Sequence, residues 1–167
     1  ITSGGRLSYD GSARKVWTKY TATSGTLTAG TSTDTISKLQ TMADGAIYNV
    51  TEASATPGID LAIYFTGVTS FEKVRVLGNY VGSSTHAVAI QLYKWSTFTW
   101  DTFNAFQNGT TDITTANGYI FDNGEFTVFD DTNYIGTGSW ANQVAVRFYH
   151  TTNGNSSHNL YLDEVSL

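Results

Sequence analysis

The chain predicts an all-β fold: an antiparallel two-sheet β-sandwich of the jelly-roll kind, preceded by an extended N-terminal arm. Three observations carry this expectation. Apolar and polar residues alternate with period two through a series of short runs, the pattern of half-buried strands. The runs are separated by Gly-, Asn-, Asp- and Ser-rich segments that favour turns. The composition is 14% aromatic with a single proline, and its many Thr, Tyr, Phe, Trp and Val residues suit pleated surfaces. At 167 residues the chain is long enough for one domain with a core of its own.

Taken in order, residues 1–35 are rich in Gly, Ser and Thr, with one strand-like run at Val16 to Tyr20, and read as an extended arm or a loosely packed first strand. Asp34 to Met42 spaces Ile36, Leu39 and Gln40 at helical intervals and predicts one or two helical turns. Residues 1–43 therefore form the arm and its helical turn, and 44–167 the sandwich. Asp44-Gly45 turns the chain into a strand, Ala46 to Glu52, and Ser54 to Gly58, with the only proline, breaks it. Strands are expected at Ile59–Val68, Phe71–Tyr80, His86–Trp95 and Thr99–Gln107. Asn108-Gly109, Asn117-Gly118 and Asn123-Gly124 mark turns around a strand near Tyr119 and another at Glu125–Phe129, and Asp130 to Asn142 is a loop. Two stretches, Phe71 to Trp95 and Gln143 to Leu167, each place a turn between alternating runs and read as β-hairpins. In each, a glycine stands four residues before a histidine that opens the return strand: Gly82 and His86, Gly154 and His158.

Composition also excludes functions. There is no cysteine, so disulfides, thiolate catalysis and Cys-based zinc sites are absent. The net charge of −5 is uneven, about +3 over residues 1–20 (Arg6, Arg14, Lys15 and Lys19 against Asp10) and −8 over the rest. An acidic body repels phosphate backbones, so nucleic acid is not an expected partner, while the basic terminus is a candidate docking arm. No apolar run approaches the roughly 20 residues of a transmembrane helix, and membrane insertion is not expected.

Alternation sorts the faces. Ile59, Leu61, Ile63 and Phe65, then Val74 and Val76, then Val88, Ile90 and Leu92, and finally Val144, Val146 and Phe148 form the expected core. The opposite positions carry Tyr64, Lys73, Arg75, Gln91, Tyr93, Trp95, Arg147 and Tyr149 beside the small residues Ala62, Ala87, Ala89 and Ala145. Flat aromatics next to small residues suit the apolar face of a sugar ring, and Arg and Gln supply hydrogen bonds to hydroxyls. Tyr93, Trp95 and Tyr149 are the candidate stacking residues; Arg75, Arg147 and Gln91 are the candidate hydrogen-bonding ones. The same residue types build protein interfaces, so burial of this face by the arm or a neighbouring subunit is the competing reading.

The segments IDLAIYFTGV (59–68), FEKVRVLGNYVGSSTHAVAIQLYKWSTFTWD (71–101), DDTNYIGTG (130–138) and VAVRFYHTTNGNSSHNLYLDEVSL (144–167) resemble β-sandwich modules of tailed-phage virion proteins. Those modules are similar to the galactose-binding-like jelly rolls of carbohydrate-binding modules. The resemblance covers about residues 44–167. It implies a non-catalytic module on the virion surface, extracellular, that decorates a capsid or tips a fibre touching a host glycan. The implied partners are other virion proteins or copies of the chain itself, in a homo-oligomer or larger assembly. The alternative is a capsid cement protein packing on neighbouring subunits without a glycan.

Three constellations remain. His86, His150 and His158 lack the H-E-x-x-H spacing of zinc hydrolases, and the matched positions of His86 and His158 suggest imidazoles capping turn carbonyls. Asp130, Asp131 and Asp163 are oxygen donors of the type calcium prefers. The resemblance implies such a structural calcium, and no other cofactor is expected. Glu72, Glu125 and Glu164 are the carboxylates a polysaccharide hydrolase would need, but none sits in an evident aromatic cleft.

Overall fold

A computed structural model describes residues 18–107 and 122–167. Nine strands are present among them: β1 (Ser24–Ala29), β2 (Tyr48–Thr51), β3 (Ile59–Phe65), β4 (Lys73–Val81), β5 (Ala87–Lys94), β6 (Thr99–Gln107), β7 (Asp122–Thr127), β8 (Val144–His150) and β9 (Asn159–Ser166). They form two antiparallel sheets, β1-β3-β8-β5-β6 and β2-β9-β4-β7. This is the β-sandwich that alternation predicts, compatible with a jelly roll.

The core lies between the sheets. All twelve residues assigned to it by alternation are fully buried. They are joined from the second sheet by Leu160, Leu162 and Val165. On each strand the next residue points outward, so a single-residue slip would expose the whole apolar row; burial of one face therefore fixes the register.

The connections differ from expectation. Phe71–Trp95 and Gln143–Leu167 are not hairpins: β4 and β9 lie in the four-stranded sheet, whereas β5 and β8 lie in the five-stranded one. Each turn carries the chain across the sandwich. Turn chemistry reports a reversal of direction, but it does not say whether the returning strand pairs with its predecessor or packs against it. Among the described elements only β5 and β6 are consecutive strands that pair, in register from Lys94↔Thr99 to Ala87↔Gln107 with a bulge between Ile90 and Gln91.

Of the two readings of the N-terminal stretch, residues 24–29 follow the strand and not the arm: β1 pairs with β3, Ser24 opposite Tyr64, in the five-stranded sheet. The expected helix shortens to a 3₁₀ turn, Ile36–Leu39, whose Leu39 is fully buried. Such a turn needs only one apolar residue facing inward, which satisfies the spacing read as helical. Asn123-Gly124 lies within β7 and is not a turn. The basic residues Arg6, Arg14 and Lys15, the beginning of the run at Val16, both turns at 108–109 and 117–118 and the strand near Tyr119 lie outside the described residues.

β9 is flanked by β2 and β4, and β8 by β3 and β5, so the last 25 residues supply an interior strand to each sheet. Truncating a fully buried side chain there leaves a cavity that the strand cannot collapse. Leu162→Ala is expected to cost about 2–5 kcal/mol in denaturant unfolding. Leu27→Ala, on the edge strand β1 and only partly buried, is expected to cost about 1–2 kcal/mol.

Candidate functional site

The outer face of the five-stranded sheet gathers most of the residues singled out by alternation. Gln91 stands opposite Arg147, and Ala89 opposite Tyr149, across the β5–β8 pair. Ala62 faces Arg147 and Asp60 faces Tyr149 across β3–β8. Arg147 is held by Asp60 in a two-pronged ion pair, Nε to Oδ1 and Nη2 to Oδ2, both at 2.7 Å. Its guanidinium lies 3.7 Å from the ring centre of Tyr149 and 5.2 Å from that of Trp100. Stacking and a planar fork are both served by this geometry, which a lysine could not reproduce. The pair also occupies one ring face of Tyr149, so this tyrosine is not a free stacking surface.

From Tyr93 an aromatic run extends toward one corner. Its ring meets Trp95 edge-on at 4.7 Å and Trp100 at 5.0 Å. Trp95 stacks on Trp140 at 5.7 Å with a 29° angle between planes. Trp140 is the outermost ring and is 55% exposed. The loop bearing it is fastened underneath. The Trp95 backbone N–H donates to the Asn133 carbonyl (2.9 Å), and the Tyr134 hydroxyl donates to Asp101 (2.9 Å) on β6. Burial and that carboxylate push the Tyr134 hydroxyl up to about 12, so it remains a donor at any physiological pH. Two polar atoms in the run, the Trp95 indole N–H and Gln91 Oε1, have no hydrogen-bond partner among the described residues. Gln91 spends its amide N–H₂ on Thr102 (3.0 Å). At the tip of the β5–β6 hairpin Phe98 is 73% exposed with φ of 57°, a left-handed conformation that disfavours an aromatic residue.

Gln91, Tyr93, Trp95, Arg147 and Tyr149 thus share one surface. Arg75 does not. It lies on β4 in the other sheet, opposite Glu125 and Ser166, with Nη2 directed at Met42 Sδ (3.3 Å). Alternation gives the face of a strand but not the sheet to which the strand belongs. Trp100, Trp140 and Phe98 were missed. Trp100 was legible in principle, since it follows the tight turn after Trp95 at the position that pairs with Tyr93. Trp140 lies in a loop without periodicity and offered no signal.

The proposed calcium ligands are likewise separated. Asp130 accepts from Thr132 and Asn133 and fastens its own turn, and Asp131 accepts from the Phe71 N–H (2.9 Å), tying the loop to the entry of β4. Asp163 is buried on β9, accepts from the Ala43 N–H (3.0 Å), and has its carboxyl pushed upward by burial. Among the described residues these three make no metal-sized cluster. Glu72, Glu125 and Glu164 do line one cavity of about 760 Å³ beside the four-stranded sheet. Its walls include Lys19, Lys73 and Arg75. Glu125 is paired with Lys73 (2.6 Å), which holds its carboxyl below the usual range, and Glu164 contacts Lys19. A general acid needs the opposite shift.

A second constellation was not anticipated. All three histidines converge on the fully buried carboxylate of Glu52, just beyond β2. Their Nδ1 atoms lie 2.7 Å (His150), 3.1 Å (His158) and 4.0 Å (His86) from its oxygens. Tyr80 donates its hydroxyl to Oε1 (2.7 Å), and the Asn155 N–H donates to Oε2 (2.8 Å). The imidazoles of His86 and His158 therefore face a carboxylate; in the two turns it is their backbone N–H groups that bond the carbonyls of Ser83 and Asn155. The approach needs two glycines. A Cβ at Gly58 would stand 2.6 Å from His150 Nδ1 and 2.8 Å from the Gly154 Cα, so only bare backbone lets the two loops close over Glu52. The matched Gly-x-x-x-His spacing was the sequence trace of this centre, but Glu52 gave no local sign.

No known protein-family model matches the chain, and no curated protein sequence matches it. Among solved structures it is similar to a cycloisomaltooligosaccharide glucanotransferase from Paenibacillus sp., with 13% identity and a TM-score of 0.44. The match covers 91% of this chain and 18% of that one, so the chain spans less than a fifth of that enzyme's length.

Burial lowers the pKa of His150 below its ordinary 6.5, opposed in part by the charge of Glu52. An imidazole harder to protonate in the folded state than in the unfolded chain contributes full stability above about pH 6.5 and loses it as the pH falls through that value. Denaturant unfolding is expected to show lower stability at about pH 5.5 than at about pH 7.5, and His150→Gln to flatten that dependence.

Proposed function

We propose that the chain is a non-catalytic β-sandwich module that binds carbohydrate through the outer face of its five-stranded sheet. The observation that carries this reading is the continuous aromatic run Tyr93, Trp95 and Trp140, with Trp100 beside it and Trp140 open to solvent. Sugar rings present apolar C–H faces that stack on such surfaces, while their hydroxyls need fixed polar partners. The Arg147–Asp60 pair, partly exposed and with its guanidinium over Trp100, places polar groups of both signs next to the rings. Holding Phe98 exposed in a left-handed conformation beside this surface is a backbone cost that a plain hairpin would avoid.

The virion setting, with an assembly of like or neighbouring subunits as partner, rests on the sequence resemblance alone. Packing on neighbours without a glycan is the second reading. It is favoured by Phe129, 97% exposed at the wall of the cavity that also contains Lys19. Packing through the Phe129 side uses the four-stranded sheet and glycan binding the five-stranded one, so substitutions at Phe129 and Trp140 separate these two contacts.

Affinity electrophoresis and calorimetry against a panel of soluble polysaccharides provide the test. The wild type is expected to bind at least one member. Trp140→Ala is expected to weaken that binding about tenfold or more, as for a stacked aromatic anchor. Phe129→Ala is expected to leave it unchanged. Absence of binding by the wild type across the panel, or equal binding by Trp140→Ala, overturns the proposal.

A further inference from the structure

The three histidines around Glu52 come from separate parts of the chain: His86 precedes β5, His150 ends β8 and His158 precedes β9. They are the only histidines present, and Nδ1 of each is turned to the same point. The rings of His86 and His150 lie 4.5 Å apart, and those of His86 and His158 5.1 Å apart. Ligand atoms of Glu52, His86 and His150 all fall within 4.8 Å of one another.

A hydrogen-bond network explains part of this arrangement. Glu52 already accepts from the Tyr80 hydroxyl and the Asn155 N–H. The Nδ1 of His150, on a residue 2% exposed, lies 2.7 Å from Glu52 Oε1. Its other nitrogen, Nε2, is 2.8 Å from Thr152 Oγ1. A buried imidazole nitrogen and a buried carboxylate oxygen facing each other, with a second imidazole close by and an outer partner fixing the first ring, also form the arrangement of ligands around one ion.

The spacing agrees. Two ligands of a tetrahedral zinc ion at about 2.1 Å each are separated by about 3.4 Å. The carboxylate-to-imidazole distances, 2.7 Å for His150 and 4.0 Å for His86, lie on either side of that value. His158 stands outside this group, with its Nδ1 hydrogen-bonded to Glu52 Oε2 (3.1 Å). Two imidazoles and one carboxylate suit zinc and its neighbours among divalent transition metals, whereas calcium requires six to eight oxygens. Three protein ligands leave a fourth position for water. Thr152 orients His150, and Tyr80 orients Glu52, as outer partners of a ligand set.

We propose that His86, His150 and Glu52 bind one divalent transition-metal ion of the zinc type, which clamps the two sheets together at one end of the sandwich. His86 and His150 bring β5 and β8 of one sheet to it, and Glu52 brings β2 of the other, with His158 before β9 holding the carboxylate from outside.

The test uses the chain without a polyhistidine tag, stripped with chelator and titrated with Co²⁺ and then Zn²⁺. The expected result is one cobalt per chain with the intense visible absorption of four-coordinate cobalt, displaced by zinc, and a higher unfolding midpoint when zinc is added. His86→Gln keeps a polar side chain at a partly exposed position and is expected to fold by circular dichroism. It is expected to lose the cobalt band and the zinc-dependent midpoint shift. A wild type that gives no stoichiometric cobalt band and no zinc shift overturns the proposal, as does retention of both by the folded variant. The wild-type titration decides the matter even where a variant does not fold.

Discussion

A carboxylate with no exposed side-chain surface governs one end of this molecule. Taking Glu52 out of water is costly, and the cost is tolerable only where charge or hydrogen bonds surround it. The surrounding groups arrive from β4, from the entries to β5 and β9, and from the end of β8. Each must be in place for the others to be satisfied, so the centre links the two sheets through polar contacts where the apolar core ends. The fully buried Tyr80, which reaches Glu52 from β4, belongs both to the core and to this centre.

The aromatic corner is built on different terms. It sits on the outer face of β5, β6 and β8, and its rigidity comes from ring contacts and from the loop pinned by Tyr134. Arg147 is committed to Asp60 and Tyr149 within the fold itself. Side chains pre-set in this way would lose little freedom on taking up the proposed ligand. Core, corner and polar centre are thus separable parts of one scaffold.

Period-two patterning identified the class, the strands of the core and the twelve core residues, because burial on one face of a strand leaves an unambiguous mark. It placed Gln91, Tyr93, Arg147 and Tyr149 together for the same reason. It failed where the answer depends on which strand lies beside which. Arg75 shares the outward phase of Gln91 but occupies the other sheet, and the two arches looked like hairpins because both contain a proper turn. Glu52 and the histidines lie more than thirty residues apart in the chain at their nearest, and only the fold brings them within reach. Trp140 projects from a loop whose shape is set by tertiary contacts.

Among the described strands, every step along the chain except that from β5 to β6 changes sheet. A nascent chain that has emerged only as far as Asn142 therefore owns disconnected ribbons: β1 with β3, β5 with β6, β4 with β7, and β2 alone. No strand pairing joins these ribbons into sheets until residues 143–167 emerge and insert as interior strands of both layers. One late segment is thus the keystone of both layers, and a chain cut before it cannot complete either sheet.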